Sequence, residues 1–507
     1  MARRGAVAHR PRRTEAWLLA AALGLFVLGM YTAGVQTSGA PPERLALYSA
    51  LFGGAVAAVH MGVRFLAPYA DPLMLPLATA LTGVGLTTIW GLGGPDGAAH
   101  AEAWRQLMWA VIGAGTCLGT VLLLARPRRL QRYPYLLAAA GLFLLLLPMV
   151  PGLGIELYGA RRWVAVSGYT VQPSEFAKLP LIVFLAAYLG QKREVLAAAE
   201  RQIRVRGVKV FSVPRMRHLG PMTVAWGLAI LVLVGTKDLG TSLLMYLVFL
   251  AMLYAATGRK SWVGIGLVMF GAGASAAWWL FPHVRQRVDI WLNAFDPQVY
   301  GAAVGGSYQL VEGLFSLADG GLWGTGFGSG RAGEIFAADS DLILVSIGEK
   351  LGLTGLMAVL LLLYLLVERA ARTALAAREV FTKLLVTGFA MLFAFQVLVV
   401  AGGVTRLIPL TGMTTPFLAA GGSSLVSSWL VIGLWLRVSD ACRRPPPDPE
   451  PGSGHEATDL IALPGGARGA RRGADAEGGS GDGSGGADPH GGADDGVSPS
   501  SRATPRR

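Results

Sequence analysis

The sequence predicts an all-α polytopic membrane protein of about twelve transmembrane helices, and three observations carry that prediction. Of 507 residues, 53% are hydrophobic and only 15% charged, with a mean hydropathy of +0.50, a balance rare in a soluble chain of this length. The apolar residues come in runs of roughly 18–25, each long enough to cross a hydrocarbon core of about 30 Å. The strongly basic short loops alternate with less basic ones, as expected of a chain that threads a membrane repeatedly.

The N-terminal segment 1–15 carries "ARRGAVAHRPRR" and belongs in the cytoplasm. Spans follow near 16–36, 45–67, 71–93 and 105–125. The first run is too long for a signal peptide, has no small-residue cleavage site and precedes further spans, so no cleavable leader is expected. The loop "RPRRLQRY" (126–133) then falls inside, and spans at 134–151, 175–190, 221–236, 239–257 and 262–281 are joined by basic inner loops at 191–218 and 258–260. The last spans, 342–366, 384–402 and 415–437, flank the inner loop "ERAARTALAAREVFTK" (368–383). An even number of crossings puts the C-terminus inside as well. The net charge of +13 therefore reads as inward-facing loops and not as nucleic-acid binding; it also suits contact with anionic membrane lipids.

The opposite side holds 38–44, 94–104, 152–174, a tight turn at 237–238, the long segment 282–341 and 403–414. Loops beyond about 15 residues are usually functional or disordered. The large extracellular loop 282–341 is rich in aromatic residues, so it is expected to be structured, with short amphipathic helices. Its stretch "GGLWGTGFGSGRAG" (320–333) predicts close backbone approach and lacks the terminal Gly-Lys-Ser/Thr of a phosphate-binding loop. Residues 16–437 thus form the transmembrane domain, and 438–507, dominated by Gly, Pro, Asp and Ser, form a disordered cytoplasmic tail. Cys117 and Cys442 fall at different depths and imply no disulfide, and no His/Cys cluster suggests zinc.

Three polar constellations face outward. In "YGARRWVAVSGYTVQPSEFAKLPL" (158–181), Arg161, Arg162 and Trp163 lie in a loop, and Pro173-Ser174-Glu175 looks like a helix start. Lys178 can share a face with Glu175, either as a local ion pair or as part of a cationic anion site. In "GTKDLGTSL" (235–243), Lys237 and Asp238 are either a charged turn or site residues at the membrane boundary. The third constellation includes Arg285, Arg287, Asp339 and Asp341. Asp341 directly precedes an apolar run, so it is either a helix N-cap or a functional carboxylate.

The stretches "GARRW", "QPSEFAK", "DLGTS", "HVRQRVDIW", "GGLWGTGFGSG", "SDLILVSIGEKLGLTG" and "TRLIPLTGMTTPFLAAGGSSL" occur in that order. Together they resemble the SEDS family (shape, elongation, division, sporulation; RodA/FtsW/SpoVE-type peptidoglycan glycosyltransferases), over roughly 150–437, with the RodA-like branch favoured. The resemblance implies a ten-helix core and polymerisation of lipid II into glycan strands at the outer face of the cytoplasmic membrane, during elongation or division. It places Asp341 at the family's essential acid, as general base, and Lys178, Asp238, Arg162 and Trp163 at charged or aromatic positions of the family's cavity. A leaving diphosphate needs cations, for which Arg162, Lys178, Lys237 and Arg287 are candidates. The resemblance also implies a class B penicillin-binding protein transpeptidase as partner and a divalent cation, Mg²⁺ or Mn²⁺; metal ligands are not identifiable, and no organic cofactor is expected.

The chain departs from the family pattern at Phe336 (for Pro), Leu342 (for Phe), Lys350 (for an acid), and Ala419 and Ala420 (for Ser and Tyr). Altered or reduced activity is one implication. Two further readings are a lipid II flippase, since twelve spans suit inverted repeats, and a non-catalytic scaffold of a cell-wall synthase. The outward gathering of charge and the absence of resemblance between the two halves speak against the flippase.

Overall fold

The computed structural model describes residues 12–93, 98–125, 127–157, 160–166, 168–198, 201–205, 208–213, 220–302 and 306–445. Most of the basic N-terminal segment and the expected disordered tail beyond 445 lie outside the described residues, but the expected start of that tail at 438 is corrected: 438–443 continue the last helix, with Val438, Ser439 and Asp440 buried against the core.

The chain opens with α1 (Arg13–Ser38), α2 (Leu45–Leu66), α3 (Met74–Gly91), α4 (Ala98–Leu123) and α5 (Pro134–Leu146). It continues with α6 (Pro173–Ala198), α7 (Gly220–Gly235), α8 (Leu239–Thr257) and α9 (Lys260–Leu280). The long segment 282–341 forms α10 (Pro282–Leu292), α11 (Pro297–Tyr300) and α12 (Tyr308–Asp319), the short helices its composition predicts. The chain then closes through α13 (Ile343–Ala376), α14 (Val380–Val404) and α15 (Gly422–Arg443).

Each of the twelve expected spans coincides with a helix, and ten helices among the described residues are long and apolar enough to cross a membrane. The expected count of about twelve thus reduces to ten long spans plus α5 and α7. α5 has 13 residues because Pro134 starts it and Pro148 follows its end. α7 has 16 residues because Thr236-Lys237-Asp238 interrupts the apolar run.

Two small sheets accompany the helices. Strands β1 (Gly154–Leu157), β2 (Ala160–Val166) and β3 (Tyr169–Val171) form an antiparallel sheet in that order, pairing Ile155 with Trp163 and Ala165 with Thr170. Strands β4 (Arg201–Val205) and β5 (Val208–Val213) make a hairpin in the basic 191–218 loop. An apolar-run reading passes over both, because the strands are short and lie between spans.

The core runs through α3 and α15. α3 is buried on nearly every face, including Thr79, Thr82, Thr87 and Thr88. Those hydroxyls cost little there, because each donates to the carbonyl four residues earlier at 2.8–3.0 Å. Gly85 lets the Leu418 backbone close in, where a Cβ would lie 2.5 Å from its carbonyl oxygen. α15 buries Trp429 and Trp435 completely. α9, by contrast, buries only Trp262 and Gly266, and its apolar surface is available to lipid or to a partner.

The loops assigned to opposite sides by charge do gather at opposite ends. At one end Arg12 donates to the carbonyls of Ala67, Pro68 and Ala70, Arg437 to Leu66, and Arg369 and Arg443 both hold Asp71. At the other end the 320–333 loop is laced to the start of α13. Thr325 and Gly326 donate to the carbonyls of Glu349 and Lys350, while Glu349 accepts from the backbone of Arg331 and Ala332 at 2.8 Å. Lys350 donates to the carbonyls of Gly91, Phe327 and Ser329. α13 itself is broken at Gly352, whose φ of 69° and ψ of −176° are not helical.

Candidate active site

Asp341 stands just before α13, half-buried. It does not cap the helix: the N-cap residue is Leu342, and no side chain caps that end. The capping reading therefore fails, and the carboxylate needs another explanation.

Its surroundings supply one. The 403–414 loop passes close by, so that a Cβ on Gly412 would lie 3.3 Å from Asp341 Oδ2 and 4.0 Å from Arg287 Nη2. Gly412 has φ +67°, a conformation glycine adopts without a side-chain penalty. Arg287 is carried by α10 and held by its own donation to the Leu410 carbonyl at 2.9 Å. α10 is pinned in turn by Arg406, which donates to the carbonyls of Trp291 and Leu292 while Trp291 Nε1 donates back to the Arg406 carbonyl.

From the other side comes β2. Arg161 points outward to Glu156, whereas Arg162 turns inward, with its Nη1 3.9 Å from Asp238 Oδ1 and its guanidinium 4.7 Å over the Trp163 ring. Asp238 is the N-cap of α8, accepting from the Thr241 backbone, and also takes the Ser174 hydroxyl at 3.2 Å and the Gln172 amide at 3.5 Å. Its two oxygens are thus fixed by three elements.

The result is an alternating cluster of Arg162, Asp238, Arg287 and Asp341, with Asp339 beside it. Burial pushes the Asp341 carboxyl above the ordinary carboxylate range. Arg162 and then Arg287 pull it back, while Asp339 and Asp238 push it up further. Burial lowers Arg287, as does Arg162, and the two carboxylates Asp238 and Asp341 counter them. Asp339 is likewise raised by burial.

Of the other expected residues, Lys237 sits exposed in the α7–α8 turn at φ 60° and, like Arg287, lowers the His283 pKa, though burial is the larger cause. Lys178 is placed differently. It is buried within α6, its Nζ bonded to both Glu175 oxygens at 2.8 Å, and it contributes to none of the charge effects on Asp341. Trp163 turns to a cavity of ≈ 280 Å³ beside the cluster, which Gln172, Thr414 and Ala420 also line. Gln172, Ser174 and Gly412 were not singled out as site residues. The polar run "VQPSE" signals the first two, and nothing local signals Gly412.

Residues 73–444 match the FtsW/RodA/SpoVE family model, described as cell cycle protein. The chain is 40% identical over 444 residues to the peptidoglycan glycosyltransferase RodA of Mycobacterium tuberculosis, covering 86% of this chain and 92% of that one. It is 30% identical over 385 residues to the probable peptidoglycan glycosyltransferase FtsW of Trichlorobacter lovleyi, covering 74% and 94%. Among solved structures, one from work on the structural coordination of polymerization and crosslinking by a peptidoglycan synthase complex superposes with a TM-score of 0.60 at 25% identity, covering 74% of this chain and 99% of that one.

Proposed function

This chain belongs to the FtsW/RodA/SpoVE family of cell cycle proteins, and on that premise we propose that it polymerises lipid II at the outer face of the cytoplasmic membrane with Asp341 as general base. It is a multi-pass membrane protein and a peptidoglycan glycosyltransferase. The observation that carries the residue assignment is the Asp341 carboxylate standing among Arg162, Arg287 and Asp238 without a capping role.

In the proposed reaction Asp341 takes the proton of the acceptor sugar's 4-hydroxyl. The freed oxygen attacks C1 of the lipid-linked donor glycan, the new C1–O bond forms, and the bond from C1 to the diphosphate breaks. The electron pair leaves with undecaprenyl diphosphate. A half-buried carboxylate whose affinity for protons is raised by burial is suited to this task. Arg287 and Arg162 are placed to meet the diphosphate's growing charge, because half-buried guanidinium groups already held in place stabilise an anion with little reorganisation. Lys237 adds positive charge at the rim. Lys178 acts through α6, whose first turn supplies Ser174 to Asp238.

Among the described residues no three of His, Cys, Asp and Glu converge to hold a metal. A Mg²⁺ or Mn²⁺ would therefore be held here by one or two carboxylates, Asp341 and Asp238 being the nearest, together with diphosphate oxygens and water, and would supply charge to the leaving group; no step here passes through one. The basic loops support cytoplasmic termini, and the exposed face of α9 supports a membrane-embedded partner, for which a class B penicillin-binding protein transpeptidase is the proposed candidate.

The test is a gel assay of polymer from purified lipid II, with and without Mn²⁺ and the transpeptidase. Wild type should yield glycan strands, and Asp341→Ala none, with the variant still folded. Polymer at wild-type rate from Asp341→Ala would end the assignment. Transbilayer movement of labelled lipid II without polymer would favour the flippase.

A further inference from the structure

The cavity beside the charge cluster has its own chemistry. Trp109, Trp163 and Tyr169 form aromatic walls, with Trp109 and Tyr169 edge to face at 5.8 Å. One wall is the start of α15. Gly421 precedes it without a side-chain cap, so the first backbone N–H groups of the helix have no partner within it. Gly422 admits the Trp109 indole, which a Cβ there would meet at 2.3 Å.

A second observation points to a ligand. Ser424 lines the cavity, is 4% exposed, and its hydroxyl is buried without a hydrogen-bond partner. A buried hydroxyl left without a partner destabilises the site, and an acceptor entering the cavity would remove that cost. The neighbouring Ser423 hydroxyl oxygen accepts from the Gln172 backbone N–H at 2.9 Å.

The charges at the rim decide what kind of acceptor fits. Arg105 is paired with Glu102 and also acts on Asp339, favouring its charged form, so its charge is met by carboxylates of the protein. The diphosphate's natural counter-charges lie instead in the Asp341 cluster. A neutral carbonyl on an amphipathic ring suits this cavity: the ring lies against aromatic walls, and the carbonyl oxygen accepts from Ser424 Oγ and the N-terminus of α15. The cavity also abuts the reacting groups. Ala420 N–H donates to the Asp339 carbonyl at 2.7 Å, and Gln172 reaches Asp238.

We infer that this cavity is a subsite for the 2-acetamido group of an N-acetylated sugar, one ring removed from the bond being made. The inference rests on the glycosyltransferase reading. Its distinguishing residues are Ser424, Trp109 and Ala420, whose small side chain leaves the space open.

The experiment compares polymerisation of lipid II with that of its de-N-acetylated form by purified full-length protein. Wild type should show at least about a tenfold higher KM for the de-N-acetylated substrate, with kcat within about twofold. Ser424→Ala should raise KM for lipid II by about tenfold and narrow that preference, and Ala420→Phe should raise KM by filling the space. Equal KM for both substrates in wild type, or an undiminished preference in Ser424→Ala, would overturn the subsite while leaving the polymerase reading intact. A readout independent of turnover is photo-crosslinking with N-acetylglucosamine whose acetyl group carries a diazirine. Adducts on peptides containing Trp109 or Ser424 support the subsite even if wild type makes no polymer. Adducts confined to other peptides refute it.

Discussion

At Asp341 two influences oppose each other: burial favours the protonated acid, and Arg162 with Arg287 favours the carboxylate. Burial wins, so the folded-state pKa lies above the unfolded value. A base must be ionised, so polymerisation should fall as pH drops through a midpoint above the ordinary carboxylate range, measurable as the acid limb of kcat/KM. Arg287→Gln removes a charge that lowers that pKa and should shift the limb to higher pH. Linkage gives a second expectation. With the folded pKa raised, Asp341's contribution to stability is fully present below its unfolded pKa and is lost as pH rises through the folded one. At neutral pH Asp341→Asn should therefore abolish polymer yet leave Tm at or above wild type; a clear fall in Tm would contradict this. Lys178 and Glu175 form a buried pair, with side chains 4% and 8% exposed. Lys178→Met should destabilise by about 3–5 kcal/mol because it strands a buried carboxylate, and Lys178→Met with Glu175→Gln should recover most of that in a thermal melt. Sequence reading singled out Asp341, Arg162, Asp238 and Arg287 because charge outside apolar runs is conspicuous, and the family resemblance, not the charge, gave the first three a site role. It missed the contacts of Asp238 with Gln172 and Ser174, and of Arg287 with Leu410, because the partners are 64 to 123 positions apart.

At the scale of elements, the long spans were legible because each is apolar for its whole length. The short ones were less so, since a run of 13 or 16 residues says where a helix is but not whether it crosses. The β1–β3 sheet was not legible: three strands of four, seven and three residues carry too little alternation to stand out. Yet that sheet is what turns Arg162 inward and Arg161 out. The glycine loop was anticipated as a close approach, and its partner proved to be the break in α13. A side chain on Gly352 would have its Cβ 2.4 Å from the Leu322 carbonyl oxygen, at φ +69°. Gly352→Ala should cost at least about 1–3 kcal/mol from backbone strain alone and loosen the 320–333 loop. Limited proteolysis in detergent should show faster cutting there, and unchanged cutting would argue against the lacing.

At the scale of the molecule, the division of loops by charge predicted which would meet, and they do meet at two opposite ends. Which end faces outward is a matter of loop charge, and it can be checked directly. A cysteine at Leu407, 75% exposed on the active-site end, should react with a membrane-impermeant thiol reagent in whole cells. One at Leu375, 74% exposed at the other end, should react only after lysis. The reverse pattern would invert the molecule and remove Asp341 from the periplasmic side.

The interruption at Gly352 has a mechanical consequence. Asp341, the proposed base, precedes a stub of nine residues, 343–351, tied sideways into its neighbours, and not the 353–376 rod beyond it. A break at this point permits the rod to tilt as the bilayer thickens and thins without turning the stub, and so separates the candidate site from movements of the surrounding lipid.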